Sequence, residues 1–247
     1  MNSKFLRVIV LLLQILIIAA EMGICIFGMV VVETSSESYP FIYAAVRVAV
    51  ILLMTLSYYK TSVSRINPGN IFVIFFLFFL TVAELNILAY FTTITGWSFI
   101  PPRVLVRMLI YSQFMVQFCI LGNALLYQSN EHGAALSLFA FGYFAVAFLA
   151  YIIPATQEVI KLWDVPAPLT ILSFLSALAV LSQLILAFSE TTKVSALKHT
   201  AMVLLLAGNF IVNVFDGLSY FSVIGTAFFF IGGIIITLIT LRNSVIL

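Results

Sequence analysis

Six charged side chains lie in or at the ends of long apolar runs: Glu21, Arg47, Glu84, Arg103, Arg107 and Asp216. A charge inside a membrane segment is costly, so it faces the bundle interior and either pairs or marks a ligand path. Three acids and three bases allow two kinds of chemistry. One is a set of ion pairs that hold helices together, Glu21 with Arg47 and Arg107 with Asp216 or Glu84. The other is a polar pocket, and balanced charge suits a zwitterion or a polar neutral ligand better than a strong anion. In that pocket Arg47, Glu84, Arg107, Asn213 and Asp216 are the expected ligand contacts, with Glu21–Arg47 as the structural pair.

Amide side chains extend the pattern. Asn209, Asn213 and Asp216 are spaced i, i+4, i+7 and so share one helix face. Gln113 and Gln117 repeat the i, i+4 spacing, followed by Asn123, and Asn86 and Gln183 complete the set. Lipid offers such groups no partner, so they must turn inward. There they either hydrogen-bond between helices or line a polar path among the third, fourth and seventh spans.

Other chemistries lack their residues. No Lys lies inside a span, so no retinal Schiff base can form. His132 and His199 are expected in loops, which excludes a bis-histidine haem within the bundle. The chain has no H-E-x-x-H, G-x-S-x-G or Walker A motif and no Cys/His metal spacing. Cys25 and Cys119 sit in apolar runs and read as small packing residues. An intramembrane serine hydrolase would want a histidine base in the bundle, and none is expected there. No catalytic residue, cofactor or metal is therefore assigned.

The elements that must position these residues follow from composition. Of 247 residues, 64% are hydrophobic and only 8% charged. A soluble domain is about 45–50% apolar and about 25% charged, so this chain needs lipid as part of its solvent. With a net charge of +2 it suggests no nucleic-acid partner. A membrane helix needs about 20 mostly apolar residues. Eight candidates meet that length, at roughly 5–32, 41–59, 71–95, 101–129, 133–154, 166–189, 199–217 and 220–241. The fold class is thus all-α, a single polytopic bundle of eight transmembrane helices with no soluble domain. The first run follows Lys4 and Arg7 like a signal peptide, but stays apolar to Val32 and reads as an uncleaved helix.

Turn residues agree with these spans. All seven prolines fall at proposed helix ends or loops. Asn67-Pro68-Gly69-Asn70 separates spans two and three, and Asp216-Gly217-Leu218-Ser219 must separate seven and eight. The loop at 155–165 could form an amphipathic turn on the surface. Lys4, Arg7, Lys60, Arg65, Lys193, Lys198 and Arg242 all fall on one side, which predicts both termini in the cytoplasm. Gly225 and Gly232 share a face of the last span and allow close approach of a helix, from this chain or from a partner.

From the second span onward the layout resembles the seven-helix membrane sensor module found at the N-terminus of bacterial histidine kinases. A basic loop (Lys60, Arg65, Pro68, Gly69) precedes a helix with a late acid, Glu84, and a short loop leads to a helix with Arg107 and Tyr111. The resemblance implies a bacterial inner-membrane protein that senses a small ligand or the membrane state. Such modules pass the change to an attached output domain. Here Leu247 follows soon after Arg242, so the output is expected in a partner subunit, or the chain in a homo-oligomer. The expected function is a non-enzymatic receptor-like or scaffolding subunit. The alternative is a small-solute or ion-coupled transporter, although no span carries a mid-helix proline and no internal repeat is visible.

Overall fold

The computed structural model describes residues 3–32, 35–62, 70–126, 132–153, 166–214 and 220–245. Among them there is no strand. The helices are α1 (Ser3–Val31), α2 (Ser35–Ser62), α3 (Asn70–Glu84), α4 (Asn86–Thr95), α5 (Pro102–Leu125), α6 (His132–Ile152), α7 (Pro166–Ser189), α8 (Lys193–Val214) and α9 (Tyr220–Val245). Among the described residues, eight apolar segments are long enough to cross a bilayer, with α3 and α4 together making the third. The protein is an integral, multi-pass membrane protein.

Local chemistry sets several helix ends. Pro102 opens α5, where its missing N–H costs nothing. Gly96 closes α4 at φ 72°, a left-handed conformation that suits glycine, and its N–H caps the Thr92 carbonyl. The Thr192 hydroxyl accepts from the Ser195 N–H at 3.3 Å and starts α8 at Lys193. That start is six residues earlier than the run beginning at 199 suggests, and it corrects the loop expected around His199. Pro40 lies inside α2 and not at its edge, in the turn where the apolar stretch begins. The turns expected at Asn67-Pro68-Gly69 and at Asp216–Ser219, and the loop at 155–165, lie outside the described residues.

The third span is broken. Leu85 donates to the Val82 carbonyl at 3.2 Å, and Leu88 donates to the Leu85 carbonyl at 2.9 Å. Both bonds are one residue shorter than the α-helical i→i−4 ladder, so the chain tightens at Leu85. The sequence reading treats 71–95 as one helix, because neither proline nor glycine marks the break.

Six helices pack in a closed ring, in the order α2, α9, α8, α7, α5 and α3, with α3 returning to α2. Outside it, α1 packs on α2, α3 and α4, and α6 packs on α5 and α3. Spans adjacent in sequence run antiparallel. Thus α1 meets α2 through Gln14 with Thr55 at one end and Gly28 with Phe41 at the other. The end where α1 begins is called the near face here, and the end where α2, α5, α7 and α9 begin the far face. Phe72, Phe76, Leu80, Ile110, Phe114, Leu172, Leu205 and Phe229 fill the interior from five ring helices. Phe141, Phe144, Phe174 and Phe188 point outward and are strongly exposed, with Phe188 at 88%. Lipid must cover them, since water would make such a belt aggregate.

The glycines of α9 face inward. A Cβ at Gly232 would meet the Ala201 carbonyl, and one at Gly208 would meet the Gly225 carbonyl and the Phe229 backbone. The shared face of Gly225 and Gly232 is thus an internal seam between α8 and α9.

Candidate polar site in the far half of the bundle

Two polar layers cross the helices α1, α2 and α3. In the nearer one, the Gln14 Nε2 lies 2.8 Å from the Thr55 Oγ1, 3.0 Å from the Leu77 carbonyl and 3.0 Å from the Thr81 Oγ1. One amide therefore ties three helices. The second layer lies two turns along, about 10 Å closer to the far face. There the Arg47 Nε donates to both Glu84 oxygens, at 3.0 and 2.9 Å, and its Nη2 lies 2.8 Å from Oε2. The remaining fork nitrogen, Nη1, donates to the Thr226 Oγ1 at 3.2 Å. Arg47 and Glu84 are 8% and 4% exposed, so this ion pair is dry and links α2, α3 and α9. Its geometry uses the planar fork that Arg has and Lys lacks.

Glu21 shares this layer. Gln14 pairs with Leu77 and Thr81, while farther along Phe27 stacks near Phe91. The register between these two contacts places Glu21 level with Leu85, at the break in the third span. Glu21 is fully buried, and neither of its oxygens meets a hydrogen-bond donor. The expected pair Glu21–Arg47 is therefore corrected. Arg47 forks onto Glu84, because Glu84 stands directly across α2 while Glu21 approaches from the outer helix α1.

A third group lies inside the ring. The Asn209 Nδ2 donates to the Gln113 Oε1 at 2.9 Å, and the Asn213 Nδ2 donates to the Asn209 carbonyl at 2.7 Å. The contacts of Gly225 with Gly208 and Val212 set Thr226 at about the level of Asn209. This amide chain is thus level with the Arg47 pair. Around it, the Gln113 Nε2, both amide atoms of Gln117 and the Ser176 Oγ are buried without a hydrogen-bond partner. Gln117 is one turn along α5 from Gln113 on the same face. Ser176 belongs to the single buried stripe of α7, with Leu172, Ala179 and Gln183. Four buried polar atoms with both donor and acceptor character therefore face the interior from α5 and α7.

The remaining residues of interest are scattered. Arg107 is exposed and stacks over the Tyr151 ring of α6, 4.9 Å from its centroid. It does not join Glu84, which Arg47 already occupies. Asp216 lies outside the described residues, so its expected pairing with Arg107 does too. Arg103 is exposed, and Asn86 and Asn123 are half-buried. His199 is a buried residue of α8, with its Nδ1 2.8 Å from the Gln183 Oε1 and its Nε2 3.9 Å from Glu190. Gln14, Thr55, Thr81, Thr226 and Ser176 were not legible as site residues. Gln14 had one usable signal, its i, i+7 spacing from Glu21 in an otherwise apolar run. Among the described residues, no three of His, Cys, Asp or Glu gather as metal ligands.

Fold and site define a multi-pass membrane helix bundle with a dry polar layer in its far half. Comparison with known proteins adds no relative: no family model fits the chain, and no curated protein and no solved structure matches it.

Proposed function

We propose that this protein is a non-enzymatic, receptor-like membrane subunit. It binds a small polar ligand in the far half of the bundle and signals through a separate partner chain. One observation carries the reading: the unpartnered amide and hydroxyl atoms of Gln113, Gln117 and Ser176 beside the Asn209–Asn213 chain. A purely structural network satisfies its buried polar atoms, since each orphaned group costs stability. These atoms suit a ligand that offers both donors and acceptors, such as an amide or a polyol. Arg47 and Glu84 hold the neighbouring helices α2, α3 and α9 together and would pass on a shift of α8 against α9. The resemblance in layout to bacterial sensor modules supports the same reading, with the far face outside and the bacterial inner membrane as the location.

Native mass spectrometry of the protein, extracted mildly from its own membrane, tests this. The expected result is a complex with a second chain bearing soluble domains, and a retained small mass that Gln117→Leu loses. A chain that always emerges alone would end the subunit reading.

A second reading, ion-coupled transport of a small solute, is favoured by the break of the third span beside Glu84. Discontinuous helices supply binding groups at depth in many transporters. It predicts solute flux in proteoliposomes that Glu84→Gln abolishes, and it fails if the wild type moves no solute under any imposed gradient.

A further inference from the structure

We propose that Glu21 and the break of the third span at Leu85 form a binding site for a small monovalent cation. Four observations converge. First, Glu21 is fully buried, and both of its carboxylate oxygens lack a donor. A buried carboxylate in that condition needs a counter-charge or a proton. Second, the register of α1 against α3 and α4 puts Glu21 beside Leu85. There the Leu88 N–H bonds to the Leu85 carbonyl, three residues back instead of four. An unpartnered carboxylate and a break in the helix thus lie at one level of the bundle, and broken membrane helices offer backbone carbonyls to cations in other membrane proteins.

Third, charge sets the valence. With both carboxyl groups ionised, Glu21, Glu84 and Arg47 together carry one net negative charge, which one monovalent cation balances. Arg47 cannot supply that charge to Glu21, because its fork is committed to Glu84 and Thr226. A divalent ion would call for more carboxylates, and no cluster of three His, Cys, Asp or Glu exists among the described residues. Fourth, the available groups are oxygen acceptors. A cation satisfies several at once, whereas a single proton satisfies one carboxylate oxygen. Hard oxygen ligands suit alkali ions. Toward the far face, Cys25, Phe41, Ala44, Ile87 and Phe91 form an apolar plug above this level, which keeps competing water out.

The site uses α1 and the helix break, not the α5–α7–α8 group, so it stands or falls apart from the receptor reading. The test uses the full chain in lipid nanodiscs at fixed pH and ionic strength, with Na+, Li+ or K+ replacing choline. The expected result is a rise in melting temperature with one of the alkali ions. Above the midpoint, each tenfold rise in that ion should lower the unfolding constant about tenfold. Glu21→Gln should abolish this dependence while the protein still melts cooperatively. If Glu21→Gln does not fold, equilibrium binding of 22Na+ to the wild type and to Glu21→Asp replaces it, with weaker binding expected for Asp. Identical melting in all four salts overturns the proposal. So does stability that responds to pH but to none of the alkali ions, or an ion response that survives Glu21→Gln.

Discussion

The Arg47–Glu84 pair gives the sharpest test of the site's energetics. Three contacts of 2.8 to 3.0 Å join the two groups, both nearly free of solvent. Removing one partner of a buried ion pair strands the other and costs about 3–5 kcal/mol. The two single changes should differ. Glu84→Leu leaves Arg47 with the Thr226 hydroxyl and with the field of Glu21, so it belongs at the lower end of that range. Arg47→Met leaves Glu84 buried beside Glu21 with no guanidinium, so it belongs at the upper end. The double change removes both charges at similar volume, and such replacements are often neutral or stabilising. The double variant should therefore lie within about 1 kcal/mol of wild type, with a coupling of at least about 3 kcal/mol. Unfolding in mixed micelles by SDS titration measures all four corners of the cycle. Single losses that simply add in the double variant would refute the pairing. Equal losses in the two singles would refute the part assigned to Glu21.

Four further outcomes follow from the same contacts. Gln117→Leu should stabilise the protein by about 1–2 kcal/mol, because it removes two buried unpaired atoms, and a loss of stability in the same titration would mean that they have partners. Gln14→Leu should cost about 1–2 kcal/mol, since bundle hydrogen bonds average about 0.6 kcal/mol and the two Gln14 N–H groups reach acceptors on both α2 and α3. Gly208→Ala should cost about 1–3 kcal/mol by pushing α8 off the α9 backbone, whereas Gly23→Ala, with nothing within 4 Å of the new Cβ, should be neutral or slightly favourable; thermal melts in one detergent compare the two. Arg107→Ala should cost no more than about 1 kcal/mol, the value of an exposed cation–π contact with Tyr151, and a loss as large as that of Arg47→Met would place Arg107 inside the polar layer after all.

The sequence alone determined the class of protein and its spans. An apolar share of 64% with 8% charge leaves lipid as the only adequate solvent, and span length follows from bilayer thickness. It also told which residues must turn inward, because a polar group facing lipid has no partner. Arg47, Glu84, Gln113, Asn209 and Asn213 are all buried on that ground. Partner choice was not legible, since pairing depends on which helices are neighbours and at what register. Depth alone made Glu21 the partner of Arg47. The ring order set Glu84 directly across from Arg47 and left Glu21 on the outer helix. Depth likewise counted Arg107 among the pocket residues, but rotation about the α5 axis turns it outward onto Tyr151. The break at Leu85 leaves no mark in composition. It is a local tightening of the backbone beside the buried charges, and the packing of α1 across α3 and α4 reveals it only in three dimensions.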